Sequence, residues 1–164
     1  MSRNSRRFAC TPEDVFTVLA DGWLFPSWVV GASRMRDVAD DWPQVGTKLH
    51  HSFGVWPFLI DDATEVLDYD PPRRIVLKAR GWPIGEARVE IQVKPHPEGA
   101  LVRIQEEAIA GPGRLIPQPL LDAPLQLRNA ETLHRLAYLA EGIAARPTEE
   151  TTAEEEDPDV GATA

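Results

Sequence analysis

The chain has 164 residues and a formal charge of −9, a size that fits one domain burying roughly two thirds of the surface its unfolded chain exposes. All 17 Lys and Arg residues lie at or before Arg146 while seven of the 26 acids follow it, so the body is almost neutral and lacks the concentrated positive stripe that a nucleic-acid surface needs. A single cysteine excludes an internal disulfide and a Cys-cluster metal site, and no run of about 20 apolar residues offers a membrane span.

Arg3, Arg6 and Arg7 are followed by Phe8, Ala9, Cys10, Thr11 and Pro12 rather than by the apolar stretch of a signal peptide. A cytoplasmic protein without integral membrane association is therefore expected. Thr11, Pro12, Glu13 and Asp14 make a helix start: Thr11 can cap a free N–H, Pro12 sits where its missing N–H costs nothing, and acids occupy the first turn. Val15, Phe16, Val18 and Leu19 supply the apolar side, and Gly22 is placed to end the helix after two to three turns. The cluster Trp23, Phe25, Trp28, Val29, Val30 predicts a second short helix with Pro26 near its beginning, and Gly31 releases the chain into a sheet.

Residues 32–108 read as five or six strands. In Gly85 to Val93, Ala87, Val89, Ile91 and Val93 fall on one face and Glu86, Arg88, Glu90 and Gln92 on the other, the alternation of a half-solvated antiparallel strand. Leu101 to Ala108 repeats it, with His96 to Gly99 as the turn between. Thr47 to Val55, Ile60 to Tyr69 and Arg73 to Gly81 come before, separated by Trp56-Pro57 and Asp70-Pro71-Pro72.

After Gly113 the period changes to three or four. Leu125, Asn129, Leu133, Leu136, Ala137 and Ala140 form one stripe, and Arg128, Glu131, Arg135 and Glu141 suit the exposed side. A regular helix from about Pro124 to just before Gly142 is expected, roughly 25 Å long and able to clamp a sheet. The order of elements is wrong for a Rossmann unit. Residues 145–164, rich in Thr, Ala and Glu, lack the apolar surface to offset ordering entropy and are expected to form a disordered acidic tail after one domain of residues 1–144.

Three segments resemble a known family: Thr11-Pro12-Glu13-Asp14-Val15-Phe16 with Trp28 following, Asp70-Pro71-Pro72-Arg73-Arg74-Ile75 opening a strand, and Arg128-Asn129-x-Glu131-x-Leu133-x-x-Leu136 in the last helix. Together, over about residues 5 to 142, they are similar to the polyketide cyclase/dehydrase and lipid-transport family of the START-like (SRPBCC, Bet v 1-like) superfamily. The resemblance implies an α+β helix-grip fold: a curved seven-stranded antiparallel sheet around a long C-terminal helix, with two short helices after a first strand at Ser2 to Ala9, and a cavity between sheet and helix. Such a cavity takes lipids, polyketides or other hydrophobic molecules. The shared segments mark structural positions, so the resemblance carries a pocket and no mechanism.

Among the candidate residues, period two puts Glu106 with Val102, Ile104 and Ala108 on the face turned to the cavity, where desolvation disfavours a carboxylate's charge and suits it to proton donation or anchoring. The alternatives are exposure through strand twist or pairing with an arginine. Glu107 should face water, as should Arg103. Asp61 and Asp62 are adjacent in a strand and point to opposite faces, which disqualifies them as a catalytic pair, and His50 and His51 fail as chelators for the same reason. His51, in phase with Leu49, Phe53 and Val55, has the better claim to the pocket. His96 sits in a turn and His134 in the last helix, so no metal-ligand spacing is present. Cys10 precedes a helix start but has no base beside it, and reads as a small buried side chain. Asn129, within the apolar stripe, must find a partner in backbone, side chain, water or ligand.

Trp28, Phe53, Trp56, Phe58 and Trp82, with Phe16, Leu125 and Leu133, can line an apolar cavity. The ligand-binding set is taken as Phe53, Trp56, Glu106, Leu125, Asn129 and Leu133, with Glu106 and His51 as the candidates for catalysis. No cofactor or metal is implied. Three functions are open: binding or transport of a small hydrophobic ligand, a cyclase or dehydratase acting on a polyketide-like substrate through Glu106, His51 and Asn129, and an interaction protein using Leu115, Ile116, Leu120 and Leu121 in the segment 112–124. Both a monomer and a homodimer are compatible with the sequence.

Overall fold

A computed structural model describes residues 2–81, 85–111 and 118–146. Trp82, Leu115, Ile116 and the tail from Pro147 lie outside the described residues, as do the side chains of Leu120 and Leu121. The elements in chain order are β1 (Ser2–Phe8), α1 (Pro12–Ala20), α2 (Phe25–Trp28), β2 (Ala32–Val38), β3 (Lys48–Val55), β4 (Phe58–Asp70), β5 (Arg74–Gly81), β6 (Gly85–His96), β7 (Gly99–Ala110) and α3 (Gln118–Ala144). The seven strands form one antiparallel sheet in the order β1-β7-β6-β5-β4-β3-β2. This is the α+β helix-grip architecture.

The short first helix starts as its residues dictate. Thr11 Oγ1 accepts from the Asp14 amide at 3.2 Å while the Thr11 amide donates to Asp14 Oδ2 at 2.9 Å, a reciprocal capping box with Pro12 in the first turn. Its end differs from expectation. Ala20 is the last helical residue, Asp21 caps it, and Gly22 instead opens a single 3-10 turn through Leu24, because the Asp21 side chain accepts from the Trp23 amide at 2.9 Å. Gly31 does turn the chain into β2. Its φ of +99° suits glycine, and a Cβ there would lie 2.3 Å from the Phe53 ring.

The strand β1 has little apolar alternation, and only its ends Ser2 and Phe8 are buried. Its place comes from the backbone ladder with β7, from Ser2 opposite Glu106 to Phe8 opposite Ala100.

α3 is longer at both ends than its stripe predicts. Pro124 lies inside the helix, where the missing N–H deprives one carbonyl, four residues earlier, of its helical bond while the turns on either side continue. At the other end nothing lies within 4 Å of a Cβ built on Gly142, so the glycine costs the helix only about 1 kcal/mol relative to alanine. The stripe itself points inward: Asn129, Leu133, Leu136, Ala137 and Ala140 are all buried, joined by Thr132.

α3 packs against β1, α1 and α2. The core lies beneath it, with Ile75, Ile91 and Ile104 directly opposite one another across β5, β6 and β7. The register repeats further along the sheet with much smaller side chains. Ala79 stands opposite Ala87, and Ala87 opposite Ala108, while Thr64 on β4 faces Ala79. The helix bridges this row of small residues without reaching down to it.

Candidate functional site

The space above the alanine row is a cavity of about 240 Å³. Ala79, Ala87, Val89, Ile104 and Ala108 form its floor, Phe25, Val29 and Phe53 one flank, and Leu125, Arg128, Asn129 and Thr132 of α3 its roof. Arg80, Gly85 and Glu86 stand at the end where β5 passes to β6, and Arg80 Nε pairs with Glu86 Oε1 at 3.3 Å.

Glu106 projects inward from β7 and is only 7% exposed. Both of its partners come from consecutive residues of α3: Arg128 pairs with Oε2, and Asn129 donates its Nδ2 to the same oxygen at 3.1 Å. The carboxylate is thus tied through one oxygen, and the other has no donor among the described residues. Pairing with an arginine was one of the readings open for Glu106, but Arg128 itself had been assigned to the exposed face of α3. The side chain keeps partial contact with water at its flank position while its guanidinium folds inward, as long basic side chains do when an apolar stem can lie along the protein.

Across the cavity, His51 Nε2 lies 3.1 Å from Thr64 Oγ1, and the ring of Phe25 packs with its centroid 5.1 Å away. Burial lowers the imidazole pKa from 6.5 to about 4, the nearby Arg36 and His50 charges adding to the effect, so His51 is uncharged at neutral pH. Its Nδ1 is sealed within protein and has no partner among the described residues.

Of the candidate ligand contacts, Phe53, Glu106, Leu125 and Asn129 line the cavity, and so does His51. Trp56 and Leu133 do not. Trp56 is 85% exposed because it belongs to the turn between β3 and β4, beyond the last inward position of the strand. Leu133, one turn past Asn129 on the same stripe, is packed into the solid core. Phe58 is likewise exposed, and Phe16 and Trp28 are core residues. Phe25, Val29, Arg128, Thr132 and the alanine row had no place in the candidate set.

The other titratable candidates have structural surroundings. Asp61 turns outward, accepting from Ser52 Oγ at 2.9 Å and pairing with Arg36 at 3.4 Å, while Asp62 faces inward and its carboxyl is pushed up by burial. Cys10 is buried, and burial, with the charges of Asp14 and Glu141, raises its thiol to about 11, which keeps it protonated and unreactive. Among the described residues no cluster of three His, Cys, Asp or Glu side chains could hold a metal ion, and no helix is long and apolar enough to cross a membrane.

The chain belongs to the polyketide cyclase/dehydrase and lipid transport family, whose model matches residues 2–141. Among solved structures, a Chromobacterium violaceum protein is 23% identical with a TM-score of 0.62, the match covering 84% of this chain and 94% of that one. A Rhodobacter sphaeroides protein is 20% identical with a TM-score of 0.67, over 85% and 91%. The di-domain ARO/CYC StfQ of the steffimycin biosynthetic pathway is 15% identical with a TM-score of 0.64, over 88% of this chain and 51% of StfQ. At these identities the likeness is one of fold. No curated protein matches the chain.

Proposed function

We propose that this member of the polyketide cyclase/dehydrase and lipid transport family binds a small hydrophobic molecule, lipid or polyketide-like, between its sheet and α3, and carries it without chemical change. The observation behind this is the cavity over Ala79, Ala87 and Ala108, which an ordinary core would fill with larger side chains. Apolar side chains make up most of the wall, so burial of apolar ligand surface is the driving force, worth roughly 25 cal/mol per Å² removed from water. The polar groups orient the ligand. Native mass spectrometry and solvent extraction of freshly purified protein test the reading: a reproducible bound apolar molecule, displaced when the cavity is filled by mutation, supports it. Failure to retain any apolar ligand, whether copurified or added, would overturn it.

A second reading, turnover of a polyketide-like substrate by cyclisation or dehydration, is favoured by the convergence of Glu106, Asn129 and, from the opposite side, His51 on one cavity. His51 is uncharged at neutral pH and, with its pKa near 4, a weak base, which suits it to orient a substrate rather than to move its protons. Substituting all three without loss of turnover would exclude these residues from any such mechanism.

A further inference from the structure

Among the described residues, two oxygens of the cavity lining have no hydrogen bond. Because Asn129 commits its Nδ2 to Glu106, its Oδ1 is an acceptor directed elsewhere, and because Arg128 and Asn129 both bind Glu106 Oε2, Oε1 is left over. Neither Oε1 nor Oδ1 has a donor among the described residues, and neither is sealed off in protein. Both residues are more than nine-tenths buried, Glu106 at 7% and Asn129 at 1% exposure, and both line the cavity. Buried acceptors in native proteins are ordinarily paired, so this wall is built for a donor that comes from outside the chain.

The charges of the wall decide what kind of donor. Glu106 is balanced by Arg128, and Glu86 by Arg80. His51, the remaining titratable group on the wall, is uncharged at neutral pH and attracts no anion. An anionic head group would bring its oxygens against two acceptor oxygens, and a cationic one would meet a carboxylate that is already paired. Size narrows the class further: an apolar cavity of about 150 Å³ holds one benzene molecule, so about 240 Å³ takes one or two rings rather than a long acyl chain.

We infer, building on the ligand-binding reading above, that the cavity selects a neutral one- or two-ring molecule bearing a hydroxyl that donates to Glu106 Oε1, with Asn129 Oδ1 as a second acceptor beside it. A carboxylate of the same size is discriminated against.

The test is a calorimetric titration of the full chain at about pH 7 with naphthalene, β-naphthol and β-naphthoate, since phenols titrate near pH 10 and carboxylic acids near pH 4. β-Naphthol is expected to bind about tenfold more tightly than either of the others, the gain from one well-placed hydrogen bond to a charged acceptor. In Glu106→Gln the amide carbonyl keeps Arg128 and Asn129 while a donor N–H replaces Oε1, so the β-naphthol advantage is lost and β-naphthoate gains several-fold. Circular dichroism confirms that the variant is folded. Equal binding of the three probes, a preference for β-naphthoate in the wild type, or an unchanged preference in Glu106→Gln overturns the inference while leaving hydrophobic-ligand binding intact. If the three probes fail but a larger apolar dye binds, the inference falls on size alone. If no apolar molecule binds, the ligand-binding reading fails and this one with it.

Discussion

Acidification should destabilise the protein through His51, and replacing His51 with Gln should remove that part of the response. Buried against Phe25, the imidazole has its pKa lowered from 6.5 to about 4. The unfolded chain binds a proton at His51 below about pH 6.5, whereas the folded chain does so only near pH 4. Between those values the unfolded state holds more protons, so stability falls as pH falls, and the loss is complete below the folded value. At about 1.4 kcal/mol per pKa unit, the window amounts to about 3 kcal/mol. Asp62, its register partner on β4, acts with the opposite sign: its raised carboxyl takes up a proton more readily in the folded state, which offsets part of the loss in acid. The arginine and histidine beside the ring, Arg36 and His50, act in the same direction as burial. The comparison that isolates His51 is therefore wild type against His51→Gln, in which the amide can still reach Thr64 and Asp62 is common to both. Urea denaturation at a series of pH values should show the two stabilities converging by about 3 kcal/mol between pH 6.5 and about 4, relative to their difference at neutral pH. Parallel curves across that window would refute the claim that His51 is held neutral by burial.

Three further outcomes are expected. Ala108→Leu places a larger side chain in the floor of the cavity, and should lower the affinity for any apolar ligand at least about tenfold in calorimetry while leaving the melting temperature unchanged or higher, since the new atoms fill space instead of displacing neighbours. Arg128→Met leaves Glu106 buried without its cation and should cost about 3 kcal/mol in chemical denaturation, with much of that recovered in the Arg128→Met, Glu106→Gln double variant, where no uncompensated charge remains. Deletion of residues 147–164 removes seven acids and no base, taking the formal charge from −9 to −2. The denaturation midpoint should stay the same and solubility should fall. A large stability loss on truncation would show that this acidic stretch contributes to the fold.

Much of the fold was legible because most of its elements announce themselves locally, with β1, placed by its ladder with β7, as an exception. Period-two alternation in Gly85 to Val93 and Leu101 to Ala108 identifies two strands and their inward faces, and the turn residues between them define a hairpin. The capping residues at Thr11 to Asp14 place the first helix correctly, since their hydrogen bonds involve neighbours in sequence. Errors collect where a rule about single residues meets tolerance in the whole. Pro124 and Gly142 read as helix boundaries, yet a helix held along its length by β1, α1 and α2 absorbs one missing hydrogen bond and one glycine. Gly22 read as a helix end because glycine often is one, but the neighbouring Asp21 had already supplied the cap.

The site was legible one wall at a time. Alternation along β7 turns Glu106 inward, the helical stripe turns Asn129 inward, and phase with Leu49 turns His51 inward, all from a single element's period. That Glu106 meets Arg128 and Asn129 depends on how α3 is rotated and advanced over the sheet, a quantity no local pattern contains. Trp56 has the size and apolar surface of a cavity-lining side chain, but its place in the turn between β3 and β4 gives it to water; Leu133 belongs to the inward stripe, and a stripe shows which residues point inward without showing whether they meet a floor or a void. The void is set by Ala79, Ala87 and Ala108, three unremarkable alanines far apart in sequence that only the strand register aligns. An alanine in a strand reads as a weak strand former, and its contribution here is the volume it leaves empty, which becomes visible once its cross-strand neighbours are known to be alanines too. The same register explains why the core and the cavity can share one sheet: Ile75, Ile91 and Ile104 form one row and Ala79, Ala87 and Ala108 another, with Leu77, Val89 and Glu106 between them, so that a helix seated on the first leaves the second open.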